Sequence, residues 1–373
     1  MDIKVIEIFG EPINRGGQES FVMSSLQHID LSDLLIDMFT PYYCNNSYMQ
    51  NIIESHGGKI FVAGLPFEPG KSRKNIVPCL KSYLSENKYD IAHIHSGSIT
   101  ALAYCAKVAS QSGIKKVIVH SHSSGIKSVK HFLIKTYAAP YFMKYATDFC
   151  ACSVEAAECK FPSAILQKVK ILNNGVDASF FAYNYQIRDG MRKRYNIDEN
   201  TIVLGHVGRF TYEKNQSFLI DLLYAYQKGN SSIKFKLVLL GEGPDKAVVE
   251  KKAEDLGLSQ SVLFPTEYDK VRDYLQMFDI FLFPSIFEGL GIVGIEAQAA
   301  GLPVIASTGV PKTMKLTDDV EYHSLDNIDD WCKAIDHFRT TVRKDTRKQI
   351  KEAGFDIEET AKEVRILYVD SGK

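Results

Sequence analysis

Tryptophan occurs once and cysteine seven times in 373 residues. The cysteines are Cys44, Cys79, Cys105, Cys150, Cys152, Cys159 and Cys332, with no CxxC pair among them. That spacing excludes a zinc-ribbon pattern and a disulfide framework, and it is expected of a protein from a reducing compartment. Cys150 and Cys152 fall in a strand-like run, where small buried hydrophobes are expected. No apolar run reaches the roughly 18 residues that cross a bilayer. The N-terminal MDIKVIEIFG opens as a strand and lacks the regions of a signal peptide, so a cytoplasmic location is expected. Excess charge is also missing: the net value is −1, which gives no global attraction to nucleic acid, and no nucleic-acid partner is expected.

The composition that remains, 45% hydrophobic and 24% charged, is that of a globular enzyme with a full core. The length suggests two domains. Short apolar runs at 3–9, 34–39, 60–62, 91–94 and 117–120 read as buried strands. Helical patterns lie between and after them at about 18–28, 47–56, 73–86, 98–110 and 129–145. A second series has strands at 203–207, 235–240, 262–264, 280–283 and 304–306, with helices at about 214–227, 245–256, 269–276 and 292–300. Such βαβ repetition predicts α/β domains with parallel sheets covered on both faces. The turn signal NNGVD and the polar RDGMRKRYN after it separate the series, which places a boundary near Asn173. A final amphipathic helix is expected from about 356 to 369.

Open parallel sheets bind ligands at the C-terminal ends of their strands, so reactive residues are sought there. Gly16 and Gly17, within RGGQE, follow the first strand and precede a helix; they permit close approach of a phosphate or sugar, or else form a tight turn. GRFTYEKN follows the first strand of the second series, and Arg209 and Lys214 there would flank the positive end of a helix, as a diphosphate leaving group requires. GEGP at 241–244 reads more simply as a turn with Pro at a helix start. FEGLGIVGIEA is the most specific stretch. Glu288 and Glu296 stand eight residues apart across Gly289, Leu290, Gly291 and Ile292, so that the carboxylates can reach separate points of one polar ligand while the intervening N–H groups meet sugar and phosphate.

The pairs His93/His95 and His120/His122 end two strands of the first series, each with both rings on one side. Four histidines invite a zinc reading, but no positioned cysteine or carboxylate completes a ligand spacing, so no metal is expected. His95 and His122, nearest the strand ends, are the better site candidates. Asp318-Asp319 and Asp329-Asp330 read as surface or helix-start acids. KSVKHFLIKTYAAPYFMKY at 127–145 combines Lys127, Lys130, Lys135 and Lys144 with many aromatics. It reads equally as a helix resting on an anionic membrane surface, the inner leaflet, or as one packing its aromatics inward.

These residues together resemble the retaining glycosyltransferases of family 4, which have the GT-B fold. The likeness runs from Gly16 to Val369 through GGQE, DIAHIHS, VIVHSHS, CACSVEAAE, ILNNGVD, VGRFTYEKN, LLGEGP and FEGLGIVGIEAQAAGLPVIAS. NNGVD and EAQAAGLPVIAS are most similar to bacterial capsular and exopolysaccharide transferases. The resemblance implies two Rossmann-like domains whose parallel sheets face an interdomain cleft. Residues 1–172 would bind the acceptor and 173–355 the nucleotide sugar, and 356–373 would form a helix crossing back to the first domain. Gly16 and Gly17 would approach the donor diphosphate, and Arg209 and Lys214 would neutralise it. Glu288 would bind the donor sugar and Glu296 the ribose, and His122 would sit beside the anomeric centre. The chain departs from the family at Pro265-Thr266-Glu267-Tyr268, where a glycine is frequent and where the base is usually met; a uridine donor is the default.

The implied reaction moves a hexosyl group, with retention, from a nucleotide-diphosphate sugar to a saccharide or lipid-linked saccharide acceptor. No cofactor or metal is expected, since fixed cations serve the diphosphate. The rival readings are a nucleotide-sugar epimerase of the same fold, a glycoside hydrolase using Glu288 and Glu296, and a non-catalytic partner subunit of a transferase.

Overall fold

The structure is a computed structural model that describes residues 2–14, 16–123, 128–229, 233–268 and 270–369. The chain forms two compact units. One takes in the chain up to Gly175 and again from Ile357 onward; the other runs Val176–Asp356. Arg15 and Lys127, both singled out in the sequence, lie outside the described residues.

The first unit holds a seven-stranded sheet of β1 (Ile3–Phe9), β2 (Leu34–Thr40), β3 (Ile60–Val62), β4 (Ile91–Ser96), β5 (Lys116–Ser121), β6 (Asp148–Ala151) and β7 (Val169–Ile171), ordered β3-β2-β1-β4-β5-β6-β7. All the pairings are parallel. β6 and β7 extend the sheet beyond the five expected strands; β6 holds Cys150 of the strand-like run noted in the sequence, and β7 reads Val-Lys-Ile, where the lysine interrupts the apolar pattern. Alternation along β1 sends Ile6 and Ile8 into one hydrophobic core and Val5 and Phe9 into the other. Glu7 therefore points into the core that holds Val5 and Phe9. That core is covered by the helices Gly17–His28 and Ile357–Val369, which contribute Phe21, Val22, Leu26, Val364, Leu367 and Tyr368.

The second unit holds β8 (Ile202–Val207), β9 (Phe235–Leu240), β10 (Val262–Leu263), β11 (Ile280–Phe283), β12 (Val304–Ser307) and β13 (Val320–His323), ordered β10-β9-β8-β11-β12-β13 and again parallel. β13 was not expected, and β10 ends one residue sooner than the run 262–264 suggests. Its two cores lie on opposite faces of the sheet, with Phe281 and Phe283 on one side and Ile280 and Leu282 on the other.

The polar stretch expected to act as a separator contains the helix Tyr185–Arg194. Two of its arginines, Arg188 and Arg192, are structural rather than solvated. Arg188 donates to the carbonyls of Gln276, Met277 and Phe278, the C-terminal end of the helix Val271–Met277, and to Asp279 Oδ1 at 2.5 Å. Arg192 pairs with Asp279 Oδ2, which also accepts from the Val203 amide at 2.7 Å. Orphan helix carbonyls and a half-buried carboxylate explain why a charged sequence is helical here.

Candidate functional site

In the second unit the loop after β8 is pinned from three sides. The Gly208 amide donates to Leu240 O and that of Phe210 to Glu242 O, tying the loop to the turn after β9. A Cβ on Gly241 would stand 2.0 Å from Gly208 O, so this approach requires glycine. Buried Gln216 donates to the Gly208 and Arg209 carbonyls, and His206 Nδ1 contacts Leu282 O at 2.8 Å. Burial lowers His206 to about 4, so it is a neutral strut. Asn215 takes a positive φ of 53°, uncommon outside glycine, and its side chain reaches Pro284 O at 3.4 Å.

The same loop is joined to the one after β11, because the Ile286 amide donates to Glu213 O at 2.8 Å. This bond brings Lys214 against Glu288, with their side chains 24% and 16% exposed. Glu288 also accepts from Ser285 Oγ at 3.3 Å and from the Gly289 amide at 3.3 Å. Lys214 sits over the Phe283 ring. Arg209 is exposed, and its guanidinium makes no ion pair among the described residues.

Gly291 is the N-cap of the helix Ile292–Ala299 and adopts φ 78°, a left-handed conformation suited to glycine. Among the described residues the Ile292 and Val293 amides that open the helix have no partner, while the Gly294 amide donates to Gly291 O at 2.8 Å. Gly289 is exposed, and a Cβ there would meet nothing within 4 Å; Leu290 and Ile292 are half-buried beside it. Glu296 is half-buried on the second turn, and burial raises its carboxyl to about 7. Lys214, Glu288, Gly289, Leu290, Gly291, Ile292 and Glu296 are thus gathered on two bonded loops and one helix, with Arg209 on the same loop as Lys214. Nearby, Tyr268 donates to Glu242, and Lys246 reaches Glu242 at 2.9 Å and Tyr268 at 3.3 Å, closing the segment where the sequence departs from the family.

In the first unit Gly16 and Gly17 are exposed at the start of the helix Gly17–His28. Glu19 holds this turn by accepting from the Asn14 amide at 2.9 Å and the Gly16 amide at 3.1 Å. A Cβ on Gly17 would come no closer than 3.7 Å to another atom, so no internal clash demands glycine there. His122 is half-buried just past β5, and its Nε2 lies 2.9 Å from His95 Nδ1. His95, placed by the sequence among the better site candidates, is fully buried. It lies between His122 and Glu7, because residue 95 is on an inward-facing position of β4 and not at its open end. Ring nitrogens of His93, His95 and His120 fall within 4.8 Å of one another. Hydrogen bonds to Tyr368, Glu7, His122 and each other already engage these rings.

Sequence reasoning missed Glu7, Glu11 and Tyr368. Glu11 follows β1 and accepts from Ser96 Oγ at 2.7 Å and the Gly97 amide at 3.4 Å; burial raises its pKa. The available signal for Glu7 was a carboxylate within the apolar run Val5–Phe9, which needs a partner when buried. Tyr368 carried no such signal, as its partners are more than 270 residues away in sequence.

Two parallel Rossmann-like sheets, with charged groups and glycines at the C-terminal ends of their strands, define an α/β protein of the GT-B glycosyltransferase type. Residues 187–355 match the family described as Glycosyl transferases group 1. EpsF of Bacillus subtilis (strain 168), assigned as a glycosyltransferase, is 31% identical over 307 residues, 80% of this chain and 77% of that protein. The chain belongs to the group 1 glycosyltransferases. The UDP-Gal:alpha-D-GlcNAc-diphosphoundecaprenol alpha-1,3-galactosyltransferase of Escherichia coli is 25% identical over 313 residues, 80% of each chain. Among solved structures, Anabaena HepE in complex with UDP-glucose is similar with a TM-score of 0.72 at 17% identity, covering 97% of this chain and 98% of that one.

Proposed function

We propose that this glycosyltransferase moves a hexosyl group from a UDP-sugar to a lipid-linked saccharide, with retention of anomeric configuration, in capsular or exopolysaccharide synthesis. The observation that carries the reading is the Lys214–Glu288 pair on loops bonded through Ile286 and Glu213, beside exposed Arg209. The bond between the anomeric carbon and the diphosphate oxygen breaks while a bond to the acceptor oxygen forms on the same face. The acceptor proton passes to the departing diphosphate oxygen. Arg209, Lys214 and the N–H groups opening the helix Ile292–Ala299 meet the growing negative charge, and no metal is needed for it. As the diphosphate takes Lys214, Glu288 is freed to accept from sugar hydroxyls, and Glu296 accepts from the ribose. In the first unit Gly16, Gly17 and His122 are the candidates for contact with diphosphate and sugar, and the sheet of that unit is the candidate acceptor site. The donor of the Escherichia coli relative and the ligand of Anabaena HepE both support uridine as the base.

Membrane contact is part of this reading. The helix Val129–Tyr145 buries Ala138 and Phe142 but exposes Val129, Phe132, Leu133, Tyr137 and Met143, which share its opposite face. It contains no acidic residue and carries Lys130, Lys135 and Lys144. An apolar stripe flanked by cations fits the cytoplasmic face of an anionic bilayer, where a lipid-linked acceptor resides. No described helix is long and apolar enough to cross a membrane.

The test is a thermal-shift panel of nucleotide sugars, since a ligand that binds only the native state raises apparent stability. UDP-sugars are expected to raise the melting temperature and GDP-sugars to leave it unchanged. The reverse pattern would refute the base, and no shift with any donor would refute the reading. Retention is read from the anomeric proton coupling of the first-formed product.

A further inference from the structure

The core under the helices Gly17–His28 and Ile357–Val369 contains a polar chain that the transfer reading leaves unused. Parallel register sets Glu7 beside His93, and His95 beside His120, on one face of the sheet. Glu7, His93, His95 and His120 are fully buried or nearly so, and Tyr368 descends on them from the C-terminal helix.

The directions of the hydrogen bonds follow from counting protons. Burial pushes His93, His120 and His122 well below the usual imidazole range and His95 to about 3, so the four rings are neutral and each carries one N–H. The Tyr368 hydroxyl donates to Glu7 Oε1, so toward His93 its oxygen can only accept, and His93 Nδ1, 2.7 Å away, holds the hydrogen. His93 Nε2 is then bare and accepts from His120 Nδ1 at 3.2 Å, which leaves His120 Nε2 bare. On the second arm Glu7 Oε2 accepts from His95 Nε2 at 2.5 Å. His95 Nδ1 is bare and accepts from His122 Nε2 at 2.9 Å, which leaves His122 Nδ1 bare. Both arms begin at one carboxylate and end on a bare nitrogen. Those two terminal atoms, His120 Nε2 and His122 Nδ1, are buried and, among the described residues, without a hydrogen-bond partner. An unsatisfied buried acceptor carries a desolvation cost that a ligand hydroxyl can recover. Of the two residues, His120 is fully buried and His122 half-exposed past the end of β5.

We infer that Glu7 is a positioning residue: through His95 it holds His122 in the Nε2–H tautomer, so that the bare Nδ1 accepts a hydrogen bond from a hydroxyl of the bound sugar. The sugar half of this statement rests on the reading of His122 given under Proposed function; the tautomer half does not. The groups that face the chain from the surrounding elements are Ser25 from the helix Gly17–His28, Tyr368 from the helix Ile357–Val369 and Cys150 from β6, whose thiol burial pushes up to about 12. None of the three is a cation. Burial raises the Glu7 carboxyl, and His93 beside it and the hydrogen bond from Tyr368 lower it; the arms run in these directions with Glu7 as the carboxylate, the one charge that the described residues place against the rings.

Glutamine at position 7 keeps the shape and reverses the polarity. Tyr368 still donates to the amide oxygen, so the amide NH₂ faces His95 Nε2, and His122 is left with its hydrogen on Nδ1. The test is long-range ¹H–¹⁵N NMR of ¹⁵N-histidine protein without ligand, with the His122 signals assigned by their loss in His122→Gln, alongside steady-state transfer kinetics. Wild type is expected to show a bare Nδ1 on His122. Glu7→Gln is expected to show a protonated one, with kcat reduced about 10- to 100-fold, the usual effect of removing a partner that orients a functional imidazole, and with unchanged nucleotide affinity. Tyr368→Phe is expected to alter the His93 signals and leave His122 in its wild-type tautomer. A protonated Nδ1 in wild type overturns the inference even if no variant folds. A His122 switch in Tyr368→Phe would move control from the carboxylate to the hydroxyl and overturn the role of Glu7. An inverted tautomer with unaltered transfer would overturn the contact with sugar, while absence of transfer in wild type would count against the transfer reading and leave the tautomer result standing.

Discussion

A ribose-binding carboxylate must be ionised to accept hydrogen bonds from both hydroxyls of a diol, and Glu296 begins with a carboxyl raised to about 7 by burial. Binding of a sugar nucleotide should therefore expel a proton from this group. If only the ionised form binds, the apparent Kd rises by the factor 1 + 10^(pKa−pH), which is about 11 at pH 6, about 2 at pH 7 and about 1.1 at pH 8. Affinity should fall about tenfold from pH 8 to pH 6, or about 1.4 kcal/mol. The sign agrees with the stability of the free protein. A carboxyl raised from 4.5 contributes stability that is complete below the unfolded pKa and is lost as pH rises through about 7. Binding and folding thus pull the same proton in opposite directions. The ligand should be UDP-glucose and not UDP, because its esterified diphosphate does not titrate in this window. His206 and His122 do not confuse the measurement, as burial lowers both out of it. Isothermal titration calorimetry in two buffers of different ionisation enthalpy would count the released proton directly. In Glu296→Gln the pH slope should disappear. A flat wild-type profile between pH 6 and 8, or a slope that survives in Glu296→Gln, would refute the assignment of Glu296 to the nucleotide.

Lys214→Met should lower kcat by about 100- to 1,000-fold, the usual loss on removing one fixed donor at a developing charge; a change confined to KM would place the lysine outside the transition state. Asp279→Ala should destabilise the second unit by about 3 kcal/mol, read by urea unfolding, because it leaves the guanidinium groups of Arg188 and Arg192 without their shared carboxylate. The paired change Phe132→Ser and Leu133→Ser removes two exposed apolar side chains. It should abolish flotation with vesicles containing anionic lipid while leaving transfer to a water-soluble acceptor intact; flotation equal to wild type would remove the membrane from the reading.

The sequence by itself determined the class of fold and singled out the short segments that the structure joins after β8 and β11. Short continuous apolar runs alternating with helical patterns permit little but parallel sheets, since only covered sheets bury strands on both faces. GRFTYEKN and FEGLGIVGIEA stood out because glycines and charges at strand ends have few structural uses. Tertiary structure decided what those residues do to one another. Lys214 and Glu288, assigned separately to phosphate and to sugar, are neutralised by direct pairing, which depends on a backbone bond between loops more than 70 residues apart in sequence. The helix Tyr185–Arg194 looked like a linker because its arginines satisfy carbonyls and a carboxylate contributed by residues near 276–279. The His–Glu–Tyr chain was half legible. Alternation gave the shared face of each histidine pair, but the direction of every hydrogen bond depends on Glu7 and Tyr368, which only the sheet register and the returning C-terminal helix bring within reach. Local pattern encodes the face on which a side chain points; the partner it meets there is set by packing between distant segments, and protonation and tautomer follow the partner.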